Sequence, residues 1–157
     1  MKTLLICPVC MLLFFMLSCS VSKTTPETIS EITKKVESND FTVKVNYANP
    51  MRGRQIYLNS DYDLRIKNDS AFAYLPYFGV AYIAPYGSNE GGIKFAEPVI
   101  NYTNTPTRKK DGWNIRFRVK SKDITYDVLM NIFNNGNASI DFNSYNRDAI
   151  SFNGAVK

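Results

Sequence analysis

Strict alternation of apolar and polar residues governs most of this chain. Phe41, Val43, Val45 and Tyr47 alternate with Thr42, Lys44 and Asn46, and Tyr62, Leu64 and Ile66 alternate with Asp63, Arg65 and Lys67. Trp113, Ile115, Phe117 and Val119 alternate with Asn114, Arg116, Arg118 and Lys120; Ile124, Tyr126, Val128 and Met130 alternate with Thr125, Asp127 and Leu129. Successive side chains of a strand point to opposite faces, so a period of two marks half-buried strands. Shorter runs add strands at Gln55 to Asn59, from Phe72 and Tyr74, at Ile93 and Phe95, at Ala138 to Phe142, and at Ile150 to Phe152. Turn formers separate them: Asn49-Pro50 with Gly53, Asn68-Asp69-Ser70, Asn135-Gly136, and Ser144 to Asp148. Residues 97–111, with Pro98, Pro106 and Arg108-Lys109-Lys110, read as a long loop. A four-residue connection, Lys120 to Asp123, sets Phe117 opposite Tyr126, Ile115 opposite Val128 and Trp113 opposite Met130, with Arg116 facing Asp127 outside. Slippage by one residue exposes the whole apolar set, so the register is firm.

One stretch keeps the other period. Thr24 as cap, Pro26 and Glu27 give a helix start, and Ile29, Ile32 and Val36 follow at helical spacing. The spacing predicts a helix over Glu27 to Ser38 whose apolar stripe docks on the sheet. The expected fold is mainly β with one N-terminal α-helix: an antiparallel meander of about eight or nine strands, curled or barrel-like to hide its edges. Charged outward positions and too few long strands speak against a membrane-spanning barrel. Residues 26–157 form a single β-rich domain.

The first residues tell a different story. Met1-Lys2-Thr3 is a short positive start, Leu4 to Leu17 is an apolar run, and Ser18-Cys19 closes it. These are the parts of a secretory signal, assigned to residues 1–18. The run is shorter than the roughly 20 apolar residues that cross a bilayer, and Pro8 interrupts it, which disfavours an uncleaved anchor helix. Met16-Leu17-Ser18-Cys19 resembles the lipobox of bacterial lipoprotein precursors, in which the Cys thiol takes a diacylglycerol before cleavage. Cys19 is therefore the lipidation site and residues 19–25 a polar tether; a thiol awaiting a partner chain is the alternative. The implied partner is a membrane, reached through the lipid at Cys19.

Absences narrow the chemistry. The sequence holds no His and three Cys, of which Cys7 and Cys10 leave with the signal. No disulfide staples the mature domain, no Cys or His metal site can form, and Ser-His-Asp and Cys-His catalysis lack their base. No cofactor, metal or catalytic residue is assigned, and the chain is read as a non-enzyme. The net charge is +5, one less once Lys2 leaves. For an exported chain this points away from nucleic acid and towards anionic envelope material, or simply towards solubility.

The most distinctive stretch is Ala73-Tyr74-Leu75-Pro76-Tyr77-Phe78-Gly79, echoed by Ala81-Tyr82-Ile83-Ala84-Pro85-Tyr86-Gly87. Pro76 and Pro85 must lie at an edge, bulge or turn. Two readings stand: an aromatic rim of Tyr74, Tyr77, Phe78, Tyr82 and Tyr86 for a sugar ring or apolar ligand, or a bent strand whose rings fill the core. With Gly91-Gly92-Ile93-Lys94-Phe95, this block resembles that of small Bacteroidota lipoproteins classed only as a domain of unknown function. The likeness runs from near Glu27 to Ile150-Ser151-Phe152-Asn153-Gly154, and Val80 stands where that family carries a basic residue. The resemblance implies an envelope lipoprotein and no activity. In that phylum, surface-destined lipoproteins carry acidic residues after the lipidated Cys; Ser20-Val21-Ser22-Lys23 has none, which implies a periplasm-facing place on the outer membrane. Asp69-Ser70-Ala71 is similar to the phylum's O-glycosylation motif, with Ser70 the acceptor.

Arg116, Arg118 and Lys120 form a basic stripe, either an anion contact or solvated surface with edge protection. Acidic pairs such as Asp61/Asp63 and Asp123/Asp127 are candidate glycosidase carboxylates, and such residues must face each other across a cleft. The leading expectation is a non-enzymatic envelope module that binds a small or glycan-like ligand or another envelope protein. A structural lipoprotein without ligand comes second and a carboxylate-based hydrolase is the outsider.

Overall fold

In the computed structural model, which describes residues 26–82 and 91–157, one helix precedes nine antiparallel strands. The helix α1 spans Pro26–Glu37. The strands are β1 (Phe41–Pro50), β2 (Ile56–Lys67), β3 (Ser70–Leu75), β4 (Ile93–Pro98), β5 (Ile100–Pro106), β6 (Gly112–Ser121), β7 (Ile124–Phe133), β8 (Asn137–Ser144) and β9 (Arg147–Val156). Their order in the sheet is β4-β3-β2-β1-β9-β8-β7-β6-β5. Two meanders, β1 to β4 and β5 to β9, are thus joined where β1 pairs with β9. The strands at the two margins, β4 and β5, are consecutive in the chain, separated by Val99 alone. They run in the same sense, so one bent path supplies both margins and curls the sheet into a nearly closed barrel.

The inward positions are those of the alternation. Val43, Val45, Leu64, Ile66, Ile115, Met130, Ile140 and Phe152 are essentially sealed from solvent. Beneath one end an aromatic chain crosses the interior: Phe95 on Tyr126 (5.7 Å between centroids), Tyr126 on Phe142 (6.1 Å), and Phe142 on Phe152 (5.9 Å).

Three expectations need correction. The β6–β7 connection is a two-residue turn, Lys122-Asp123, with Ser121 opposite Ile124. Lys122 takes φ +53°, a left-handed conformation suited to the short hairpin turns that match strand twist. The pairs therefore shift by two: Val119 with Tyr126, Phe117 with Val128, Ile115 with Met130, and Trp113 with Ile132. Outside, Arg118 rather than Arg116 faces Asp127. Secondly, residues 97–111 are no long loop, because the end of β4 and all of β5 lie within them. Pro98 and Pro106 each end a strand at a sheet margin, where a missing N–H costs no ladder bond. Thirdly, the runs 55–59 and 62–66 are one long strand, β2, whose pairing with β1 is offset by an irregularity between Val45 and Tyr47.

The helix begins and ends one residue earlier than expected, and the Thr24 cap lies outside the described residues. Ile32 and Val36 are buried, and Asn39 (φ +53°) terminates the helix in the left-handed conformation favoured just past a helix end. The helix closes the barrel end that holds Phe41, Gly136 and the end of β5. There the Asn104 amide donates to the Val36 carbonyl (3.1 Å), and the Tyr102 hydroxyl donates to Asn39 Oδ1 (2.8 Å). The opposite end, formed by the loop after Pro50, the segment after Leu75 and the turns at 122–123 and 145–146, has no helix among the described residues.

Candidate functional site

At the helix-free end the chain leaves β3 at Leu75 and turns back over the barrel. Pro76 ends the strand pairing, and the half-buried Tyr77 ring folds inward. Its hydroxyl lies 3.0 Å from the Asp148 carbonyl and 3.1 Å from the Val80 carbonyl. Gly79 passes so close to this ring that a Cβ there would stand 2.6 Å from the Tyr77 hydroxyl. Residues 80–82 then run alongside the start of β9: the Asp148 N–H donates to the Val80 carbonyl (2.9 Å), and the Tyr82 N–H donates to the Asn146 carbonyl (2.8 Å). Residues 76–82 thus form a strap across the barrel mouth.

Under the strap sits a buried carboxylate. Asp148 is 3% exposed and accepts hydrogen bonds from the Tyr82 hydroxyl and the Val80 N–H (3.3 Å), while Arg52 Nε stands 3.8 Å away. The Tyr82 bond, helped by Val80 and Arg52, holds the Asp148 carboxyl below its usual value despite burial. The same bond pushes the Tyr82 hydroxyl up, and burial pushes Tyr77 up. A groove of about 470 Å³ opens beside this carboxylate, lined by Arg52, Arg54, Gln55, Phe78, Val80 and Asp148 among others.

The neighbouring Arg147 is also buried, at 9% exposure. Its guanidinium carbon lies 4.8 Å from the Tyr77 ring centroid and 5.7 Å from that of Tyr126. Its Nε is sealed from solvent without a hydrogen-bond partner. Asp148 gives it no ion pair, being turned to Tyr82, Val80 and Arg52.

The four expected aromatic residues that the structure describes do not form one rim. Tyr77, Phe78 and Tyr82 gather at the strap end, whereas Tyr74 lies on the outer face of β3, stacked on Tyr62 (5.6 Å) with the Lys94 ammonium 5.1 Å above it. Tyr86 lies outside the described residues, as does Cys19. Nor do most of these rings fill the core: Tyr74, Phe78 and Tyr82 are exposed, whereas Ala73 and Leu75 are buried and Tyr77 packs against the interior. Arg116, Arg118 and Lys120 do share the outer face of β6, but Arg118 is bound to Asp127 (2.7 Å). Arg116 and Arg118 line a groove of about 380 Å³ with Asp127, Leu129, Asn101 and Asn143, and Lys120 is not part of it. Ser70 opens β3, half-buried, after the left-handed pair Asn68-Asp69. Asp61 is paired with Lys44 (2.6 Å) on the surface. No cluster of three or more His, Cys, Asp or Glu fit to hold a metal occurs among the described residues.

Arg147 and Asp148 are the residues that sequence reasoning missed. Asn146-Arg147-Asp148 reads as a solvated turn, yet Asp148 keeps the inward parity of Ile150 and Phe152. That parity was the available signal.

Comparisons with known proteins agree with this architecture. A family described as a domain of unknown function (DUF4251) matches residues 23–156. The crystal structure of a DUF4251 family protein from Bacteroides eggerthii DSM 20697 is similar in fold, with a TM-score of 0.63 and 14% identity over 83% of this chain and 87% of that one. No curated protein matches. With the match running from before the helix to the last strand, the chain belongs to the DUF4251 family.

Proposed function

We propose that this protein is an envelope lipoprotein, held to the outer membrane by acyl groups on Cys19 and facing the periplasm, that binds a small, polar, glycan-like ligand at the strap end of its barrel. The observation that carries this reading is the groove beside Asp148. It combines a buried carboxylate as hydrogen-bond acceptor, the exposed Phe78 ring, and the Arg52 and Arg54 guanidiniums, the mixture of apolar face and sparse polar groups that small-ligand sites use. The helix that follows the tether covers the other end, which leaves the groove clear of the membrane. The absence of His from the sequence and the single thiol of the mature chain favour binding over catalysis.

A second reading, an accessory protein without a ligand, draws support from the hydrogen bonds that Tyr77, Tyr82 and Val80 already make at Asp148 and its carbonyl. Native purification of the acylated protein, with mass spectrometry of what co-purifies, separates the two. A bound saccharide or other small polar molecule, lost on Phe78→Ala, is the expected result. Recovery of the protein bare, with no thermal shift from a panel of neutral and acidic sugars, overturns the ligand reading. A Cys19 without acyl groups overturns the membrane placement.

A further inference from the structure

We infer that Arg147 is a receptor for an oxyanion, a carboxylate or phosphate group, at the strap end of the barrel. The inference rests on the binding reading above and adds the charge of the ligand.

A guanidinium taken out of water ordinarily forks onto a carboxylate or onto backbone carbonyls, because a buried cation without such partners is costly. Arg147 departs from this. Among the described residues its side chain makes no hydrogen bond and no ion pair, although the residue is only 9% exposed. Its only neighbours of note are two ring faces, Tyr77 and Tyr126. These stabilise positive charge through their quadrupoles but leave every N–H unspent. Of its three nitrogens only Nε is sealed, so the terminal pair retains contact with solvent. The Tyr126 hydroxyl, on a residue 4% exposed, also makes no hydrogen bond and is likewise not sealed. Two unspent donors therefore sit together at the rim of a hydrophobic interior.

The surroundings fix this group in place. Tyr77 cannot swing away, because its hydroxyl is tied to the Asp148 and Val80 carbonyls. Tyr126 is held edge-on against Phe142 and faces Phe95. Two tethered rings, 4.8 and 5.7 Å away, confine the guanidinium, and a confined planar fork is suited to bidentate recognition of carboxylate or phosphate. Asp148, the carboxylate one residue away, is engaged elsewhere and leaves the charge uncompensated. Arg118 supplies the contrast: exposed, and already paired with Asp127 at 2.7 Å.

The test follows the arginine Nε–Hε resonances of the full mature chain during titration with inorganic phosphate, glucuronate and glucose. The expected result is movement of one resonance, absent in Arg147→Lys, with phosphate or glucuronate and not with glucose. The stronger of the two anions identifies the source of the oxyanion. Arg147→Lys keeps the charge and loses the fork, so its affinity should fall roughly tenfold or more. Arg147→Met removes an uncompensated charge and should melt at or above the wild-type temperature. Equal anion binding by wild type and Arg147→Lys overturns the inference, as does an Arg147 resonance that no anion moves. If sugars bind with affinities indifferent to charge and to Arg147, the inference falls and the binding reading stands; if none of the probes or purified ligands binds, both fall.

Discussion

The two ends of this barrel are closed by opposite means. At the helix end, an amphipathic segment lays Ile32 and Val36 over the barrel, and the hydrogen bonds that fasten it join neutral groups: the Asn104 amide meets the Val36 carbonyl, and the Tyr102 hydroxyl meets Asn39. At the strap end, irregular chain is tied down around a buried carboxylate and a buried guanidinium. Among the described residues each end leaves one buried side-chain polar atom without a partner, Asn104 Oδ1 and Arg147 Nε. Asn104 satisfies its other atom and carries no charge, whereas Arg147 satisfies none and carries a full one. Consistent local choices are what stabilise a fold, and departures concentrate where a protein meets its ligand. On the proposed reading the helix end serves stability and the strap end recognition.

The largest break in this comparison comes from charging the helix end. Val36 is fully buried, so Val36→Asp puts an unpaired carboxylate into an aliphatic plug. A loss of roughly 3–5 kcal/mol is expected, read as a fall in the urea midpoint. A near-native midpoint would mean that the helix is an ornament and that the barrel closes without it. The corresponding loss at the strap end is smaller. Tyr77→Phe keeps the ring against Arg147 but strips the hydroxyl from two carbonyls, at a cost of about 1–2 kcal/mol. Its signature is local: the Asp148 and Tyr82 amides that hold the strap should exchange faster, while amides of β6 and β7 keep their protection.

Those two substitutions also mark what the sequence could and could not reveal. Ile32 and Val36 announce themselves by helical spacing, and most strands by alternation, because burial against one apolar body imposes a period. The β6–β7 register escaped by two residues for the same reason: a shift of two leaves every side chain on its face, so only turn geometry at Lys122 decides it. Strand β5 escaped because its inward positions are Tyr102, whose ring packs on Phe117 while its hydroxyl serves a helix terminus, and the polar Asn104, which together break the apolar code. The aromatic block is conspicuous in the sequence, but its place in the fold is not. Its role was divided, since Pro76 sends Tyr77 inward while Tyr74 stays on the outer face. Arg147 and Asp148 escaped because charged residues in a turn ordinarily mean solvent; the parity of Asp148 with Ile150 hints at burial, but nothing local shows that a distant strap covers the pair.

Acid and alkali sharpen the contrast next. The Asp148 carboxyl sits below its usual 3.8, so its contribution is present above that pH and is lost as pH falls through the folded-state value. Asp61 is lowered too, by Lys44, but in full contact with solvent. Asp148→Asn should therefore flatten the acid limb of a stability–pH curve more than Asp61→Asn does. In the other direction, burial raises the Tyr102 hydroxyl to about 12 from 10.0. Its contribution is complete below pH 10 and disappears as pH rises towards 12, so Tyr102→Phe should flatten part of the alkaline limb. An acid limb unchanged by Asp148→Asn would deny the strap its electrostatic anchor.

The smallest effect on stability, and a separate check on where recognition resides, concerns the outer face. Arg116, Arg118 and Lys120 look like an anion-binding stripe, but Asp127 already holds Arg118 at 2.7 Å and neutralises it. An exposed pair of this kind adds little to folding and is screened by salt. Asp127→Asn should accordingly leave the melting temperature almost unchanged. It should nevertheless release Arg118 beside Arg116, and raise retention on a phosphate-bearing resin at low ionic strength, an increase that salt abolishes. The wild-type protein should show weaker retention through this face, because Asp127 occupies Arg118, while the Arg147 side chain at the strap end has no such partner. If Arg118→Ala weakens anion binding by the wild type as much as Arg147→Lys does, the stripe is a site in its own right and the division of labour between the two ends fails.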